Sequence, residues 1–185
     1  MEDEHFVRRL CRKWKVPLVV EREDVAARSR QHGLSLEEAA RIARYRFLAR
    51  VARQRKLHTV VVAHHQQDQA ETVLLKILQG CDRGHFRGME MERSFPLLHW
   101  SKNKPMATRK KSAVGPGRLR LARPLLQSPL EEIVCYAKQN RLSFREDSSN
   151  RNLSTPRNWI RHRLILLMGQ RLNRNVVKTL ARFGE

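Results

Sequence analysis

Apolar and polar positions along the chain follow two periods, and the change between them falls near residue 65. From Thr59 the run TVVVA is β-branched or small and continuously apolar, as in a strand buried on both faces. From Gln67 the period lengthens: Ala70, Val73, Leu74, Ile77 and Leu78 form one stripe of a helix that Gly80 would close. His64 and His65 occupy the turn, and Asp68 and Glu71, three apart, share a helix flank away from the stripe. Upstream, Phe6, Val7, Leu10, Cys11 and Trp14 predict a helix over about 4–14, and VPLVV at 16–20 predicts a short strand with Pro17 at its start. Asp24 is placed to cap a short helix ending at Gly33. Ser35-Leu36-Glu37-Glu38 reads as a capping box that opens a long helix to about Arg55, with Leu36, Ala39, Ala40, Ala43, Phe47 and Val51 buried. The order strand, helix, strand, helix predicts an α/β fold with a parallel sheet, in which 59–63 is a central strand.

Beyond Gly80 the pattern dissolves into a loop with a turn or short helix to Trp100, then into SKNKPMATRKKSAVGPGR at 101–118. That segment has six basic residues, no acidic ones, two prolines and two glycines, and reads as a flexible basic insertion. It could lie against an RNA backbone or be a solvated loop. LRLARPLL at 119–126 alternates, predicting an edge or end strand. Ser128-Pro129-Leu130-Glu131 predicts a capped helix burying Ile133, Val134 and Ala137. Ser154 or Thr155 caps a further helix opened by Pro156, with Ile160, Leu164, Leu167 and Met168 buried and Arg157 and Arg161 on its flank. The chain thus divides into an α/β core at 1–100, the insertion, and an end strand with helices at 119–185, all within one domain.

Charge narrows the partners. In 185 residues, 38 Lys and Arg against 18 Asp and Glu give a net charge of +20, a field that attracts polyanions, so nucleic acid is the expected partner class. No basic helix carries a large exposed apolar face, which argues against membrane binding. No apolar run approaches the ~20 residues of a membrane span, and MEDEHF is unlike a signal peptide, so a cytoplasmic location is expected. Cys11, Cys81 and Cys135 are widely spaced and odd in number, and are read as reduced thiols.

The turn at 64–71 lies just past the carboxyl end of a strand, where open α/β sheets bind ligands. Asp68 and Glu71 are close enough to hold one cation or to orient one reacting group. They could equally complement the helix dipole, and the two histidines could be structural. Of the arginines on the long helix, most read as a solvated face, while Arg41 and Arg44 border the apolar stripe and can reach along the end of the sheet.

The string AHHQQDQAET resembles the A-H-H-x-D-D-Q-x-E-T signature of the tRNA(Ile)-lysidine synthetases, a branch of the PP-loop ATP pyrophosphatases, and departs from it at Gln67. EEAARIARYRFL resembles the E-x-A-A-R-x-x-R-Y segment of that family, HFRGM its G-L-x-G-M, and RPLL followed by D-x-S-N and R-N-x-x-R the end of its catalytic domain. The resemblance implies a partial parallel-sheet PP-loop (adenine nucleotide alpha hydrolase-like) domain with C-terminal helices. It implies an enzyme that uses ATP and Mg²⁺ to adenylate the C2 oxygen of the wobble cytidine of tRNA(Ile), after which the ε-amine of free lysine displaces AMP. By the same resemblance Arg44, Asp68, Glu71, His64 and His65 are catalytic, and Arg41, Arg44 and His64 contact the nucleotide. Asp68 and Glu71 hold the metal, and Arg46, Arg109, Lys110, Lys111, Arg157 and Arg161 contact RNA.

The family also has an S-G-G-x-D-S loop that cradles the ATP phosphates, and the sequence contains no such string. The chain is therefore expected to be a truncated catalytic domain whose activity alone is open. The alternatives are a non-catalytic basic RNA-binding domain of the same fold, and another tRNA-modifying PP-loop enzyme, one that thiolates a base, for which Cys81 is the one cysteine near the site.

Overall fold

The computed structural model describes residues 2–80, 87–96, 119–145 and 153–184. The expectations for the insertion 101–118, for Cys81 and for the D-x-S-N string at 147–150 lie outside the described residues. The elements are helices α1 (Glu2–Lys13), α2 (Val25–His32) and α3 (Leu36–Gln54), strand β1 (Thr59–Val61), and helix α4 (Gln66–Leu78). Strands β2 (Glu92–Ser94) and β3 (Arg120–Ala122) follow, then helices α5 (Leu130–Gln139), α6 (Pro156–Trp159), α7 (Ile165–Arg171) and α8 (Val176–Phe183). This is an α/β fold, and no described helix is long and apolar enough to cross a membrane.

Local chemistry accounts for the helix ends. Asp24 accepts from the Ala27 N–H at 2.9 Å, and α2 stops where Gly33 takes a left-handed φ of 59°. Ser35 and Glu38 cap α3 reciprocally, the Glu38 carboxylate accepting from Ser35 N–H at 3.1 Å. Thr155 accepts from Asn158 N–H at 3.3 Å with Pro156 as first residue of α6. The box expected at Ser128 does not form: Pro129 itself is the N-cap of α5, and the Ser128 carbonyl instead accepts from Gln66 N–H at 3.1 Å. Ile133, Val134 and Ala137 are only half-buried.

The sheet has strand order β1-β3-β2. Arg120 N–H donates to His58 O at 2.8 Å and Val62 N–H to Ala122 O at 3.0 Å, a parallel pairing of β1 with β3. Phe95 N–H donates to Leu119 O and Arg123 N–H to Met91 O, so β2 runs antiparallel to β3. Two expectations are thereby corrected. Among the described residues β1 is an edge strand, with Val61 62% exposed, while the alternating LRLAR supplies the middle strand, with Leu121 at 0%. The apolar run gains cover on one face only, whereas β3 needs both its edges for hydrogen bonds and one face for Leu121. The segment 16–20 is not a strand: it pairs with no described strand, and Val16, Leu18, Val19 and Val20 are exposed.

Two compact units divide the chain. The first comprises Met1–Val60 and Arg93–Leu121. Its buried residues include Ala39, Ile42, Tyr45, Ala49 and Ala52 of α3, and the Tyr45 ring meets Phe95 at 5.4 Å between centroids. The buried stripe of α3 is thus rotated from the expected one, because the aromatic pair draws Tyr45 inward and leaves Leu36 exposed.

The second unit comprises Val61–Glu92 and Ala122–Glu185. Here Ala70, Leu74, Ile160, Ile165 and Val176 form a core flanked by Leu75, Leu164, Met168, Val177 and Leu180. Between α6 and α7 the chain makes one π-helical segment, Ile160–Leu164, with the Ile165 N–H donating to Ile160 O. The wider turn shifts the helix phase, so Ile165 is buried and the expected Leu167 is 55% exposed. α8 went unanticipated, although Val176, Leu180 and Ala181 have helical spacing.

In the same unit the buried Gln69 side chain latches the backbone at Met89: its Oε1 accepts from Met89 N–H at 2.6 Å and its Nε2 donates to Met89 O at 3.0 Å. A Cβ at Gly88 would stand 2.4 Å from Gln69 Nε2, and two hydrogen bonds keep that amide from swinging aside. Gly88→Ala should therefore destabilise the protein by about 1–3 kcal/mol in urea unfolding. If the clash is the cause, adding Gly88→Ala to Gln69→Ala should cost nothing further.

Candidate functional site

In the second unit, α4 begins at Gln66, with His65 as its N-cap in extended conformation. Asp68 Oδ2 accepts from the His65 backbone N–H at 3.0 Å, so one carboxylate oxygen is spent on the helix start. One turn on, Glu71 is fully buried. The structure corrects the expectation that these carboxylates stand clear of the buried face: α4 buries Asp68, Gln69, Ala70, Glu71, Val73 and Leu74, while Ile77 and Leu78 are exposed.

What makes that burial possible comes from ~90 residues further along the chain. Arg161 grips Glu71 with two nitrogens, Nε to Oε1 at 2.6 Å and Nη2 to Oε2 at 3.0 Å. Arg157 Nε donates to Glu71 Oε2 at 2.8 Å, and the Nη2 atoms of Arg157 and Arg161 each reach Asp68 Oδ1 at 3.1 Å. Two acids and two guanidiniums thus form one neutral, hydrogen-bonded cluster. Thr155 and Pro156 fix where α6 starts, and Arg157 and Arg161 are four apart, the first on α6 and the second in the π-helical segment. Burial alone would push the Arg161 guanidinium down, but its hydrogen bonds to Glu71 together with the charges of Glu71 and Asp68 outweigh this and hold it above its ordinary value, a fixed cation. The side chains of Arg157 and Arg161 remain 30% and 20% exposed, so the cluster has a positive, solvent-facing side over a buried negative base.

His64 is held from a different direction. The buried Arg123, first residue of RPLL, donates from Nε to His64 Nδ1 at 3.2 Å and from Nη1 to Glu90 O at 2.7 Å. A guanidinium can only donate, so Nδ1 is an acceptor and the ring carries its proton on Nε2. His65 Nε2 lies 3.5 Å from Asp68 Oδ2, and its buried Nδ1 has no hydrogen-bond partner among the described residues.

The sequence-derived candidates therefore fall into three groups. The second unit brings together His65, Asp68, Glu71, Arg157 and Arg161 in the cluster, and places His64 against Arg123. Arg41, Arg44 and Arg46 are exposed on α3 of the first unit, Arg41 lying 5.7 Å from the Tyr45 ring centroid. Arg109, Lys110 and Lys111 lie outside the described residues. Arg123 and Gln69 were not singled out; an arginine embedded in apolar LARPLL was the available sign of a buried cation.

Mg²⁺ does not fit on Asp68 and Glu71 in this arrangement. It requires oxygen ligands and keeps several waters, whereas three of the four carboxylate oxygens accept from guanidiniums and the fourth from a backbone N–H. Among the described residues no group of three or more His, Cys, Asp or Glu could hold a metal.

Deleting one member of the cluster should be far worse than deleting an exposed ion pair. Glu71→Gln leaves two guanidiniums partly buried with one carboxylate, and a loss of about 3–5 kcal/mol is expected in chemical denaturation. Arg161→Met in the Glu71→Gln background should recover part of it, giving a coupling of about 0.5–3 kcal/mol in a double-mutant cycle. Strict additivity would mean that the two side chains do not depend on each other.

Comparison with known proteins bears on the family of the chain. A family model described as a PP-loop domain matches residues 1–168. The tRNA(Ile)-lysidine synthase of Geobacter sulfurreducens is 36% identical over 184 residues, covering 100% of this chain and 34% of the relative. That of Thermotoga maritima is 31% identical over 166 residues, 90% of this chain and 34% of the relative, and that of Chlorobaculum tepidum 29% over 183 residues, 99% and 48%. The chain spans about a third to a half of the length of these curated relatives. With the family model matched along nine-tenths of its residues, and with the two motif groups that suggested it meeting in one ion-pair cluster, the chain belongs to the PP-loop domain family.

Proposed function

We propose that this domain serves an ATP-dependent tRNA-modifying ligase that joins lysine to the wobble cytidine of tRNA(Ile). The observation that carries the reading is the cluster itself: H-H-x-x-D-x-x-E-T and R-N-x-x-R, about 90 residues apart in sequence, are bonded to each other through Asp68, Glu71, Arg157 and Arg161. Lysine, free in solution, and tRNA(Ile) are the substrates, and ATP the activating co-substrate, in keeping with the named relatives.

In the reaction the cytidine C2 oxygen attacks the α-phosphorus of ATP and pyrophosphate leaves. The lysine ε-nitrogen then bonds to C2, the C2–O bond to AMP breaks, and the ammonium proton is lost. Each step gathers negative charge on phosphate oxygens, so fixed cations stabilise it more than mobile ones. Arg157 and Arg161, oriented by Asp68 and Glu71, suit that work on the RNA or leaving-group phosphate. Arg41 and Arg44 are assigned to nucleotide phosphates, Arg46 and the basic stretch containing Arg109, Lys110 and Lys111 to the RNA backbone. His64, protonated on Nε2, is assigned as a hydrogen-bond donor to a reacting oxygen. His65 and the carboxylates complete the catalytic set as positioning groups. Mg²⁺ enters this reading only as the companion of ATP, and no step is routed through it.

The test is incorporation of labelled lysine into tRNA(Ile) with ATP. Because the sequence lacks an S-G-G-x-D-S string, incorporation is expected from the chain extended by a strand and loop that carry it, and not from the 185 residues alone. In the extended protein Asp68→Asn should cost on the order of 10²–10³ in rate, since Arg157 and Arg161 lose one of the two carboxylate charges that hold them. An extended protein that binds tRNA but never incorporates lysine would favour the basic RNA-binding alternative.

A further inference from the structure

The second unit also holds a cavity of about 360 Å³ that the ion-pair cluster does not use. Its lining includes the latched Gln69, together with Gly88 and Gly184, the Gly88 N–H donating to Gly184 O at 2.7 Å. Gln66 and Gln127 stand on one wall, Gln66 Nε2 donating to Gln127 O at 3.3 Å. Three cations line the cavity: Arg87 from the segment before β2, and Lys178 and Arg182, four apart on the exposed side of α8. Among the described residues none of the three meets a carboxylate, and the one acid in the lining is the exposed Glu90.

Three cations that meet no carboxylate among the described residues, against one acid, disfavour a cationic occupant, and the glutamine amides set beside Met89, Met91, Leu126 and Ala181 suit a ligand with polar edges and an apolar face. A free phosphate would leave most of the space empty, since cavities of this size take small organic ligands. We infer that this cavity is a nucleotide site for single-stranded RNA, with one backbone phosphate at Lys178, Arg182 and Arg87 and its base inside against the glutamines and Glu90. A paired base cannot enter such a recess, so the strand must be unstacked there. The choice of RNA rests on the tRNA reading above; the site and its charge do not.

The experiment measures binding of fluorescein-labelled hexacytidylate RNA by anisotropy, comparing Lys178→Ala/Arg182→Ala with Arg9→Ala/Arg12→Ala. Arg9 and Arg12 are exposed on α1, so the two variants share one net charge and neither cuts into a core. The inference expects the α8 pair to weaken binding tenfold or more and to flatten the log–log salt slope by about 0.7 for the lost phosphate contact. The α1 pair should stay within about twofold of the unaltered protein. Equal losses from both variants would overturn the site while leaving RNA binding intact as diffuse attraction to a basic chain. An abasic hexamer that binds as tightly as hexacytidylate would also overturn it, because the base would then contribute nothing. No binding of RNA by the unaltered protein would overturn the tRNA reading together with this site.

Discussion

A carboxylate with no exposure to water survives as an anion only if cations and hydrogen bonds replace its hydration, and Glu71 is such a group. Its partners, Arg157 and Arg161, come from the far end of the chain, so the ion pairs fix where α6 and the π-helical segment lie on α4. The apolar contacts of Ala70, Leu74, Ile160 and Ile165 then fill the space that the pairs define. Packing alone could be satisfied in several registers, because aliphatic side chains tolerate sliding. A bidentate arginine fork on one carboxylate tolerates far less. The same bonds that make Glu71 tolerable in the interior fix the positions of two partly exposed guanidiniums.

What could be read in the sequence was the chemistry of single turns. Asp24, Ser35 with Glu38, Thr155 with Pro156, and Gly33 act within four residues of themselves, and each does what its type predicts. Neighbours across the sheet are another matter. The run at 59–63 is apolar enough for a central strand, yet pairing is decided by which other strands exist, and periodicity does not carry that information. The same limit hid the middle position of LRLAR and the lack of a partner for 16–20. At α7 the miss was of phase: a single π turn moved burial from Leu167 to Ile165, and nothing in IRHRL announces it.

The site was legible as a set of residues more than as an arrangement. His64, His65, Asp68, Glu71, Arg157 and Arg161 all stood out, from two motif groups. A metal reading of the acids follows naturally from their three-residue spacing, because the partners that neutralise them are ~90 positions away. Once Arg157 and Arg161 are in place the acids become supports for cations. Arg123 plays a parallel part for His64, setting which ring nitrogen carries the proton. The excess positive charge of the chain, broad in composition, is locally organised into groups held by acids and groups left open, as around the cavity beside α8.

The claim on which this account stands is that Arg157 and Arg161 are locked onto Glu71 and Asp68 in the folded protein. Hydrogen exchange at arginine side-chain Nε–H groups, read by ¹H–¹⁵N correlation, tests it directly, because both Nε atoms donate to Glu71, at 2.8 and 2.6 Å. The account predicts two Nε–H signals whose exchange is slowed roughly 100-fold or more relative to the exposed Arg163 and Arg171. Exchange at Arg157 and Arg161 as fast as at Arg163 would contradict it.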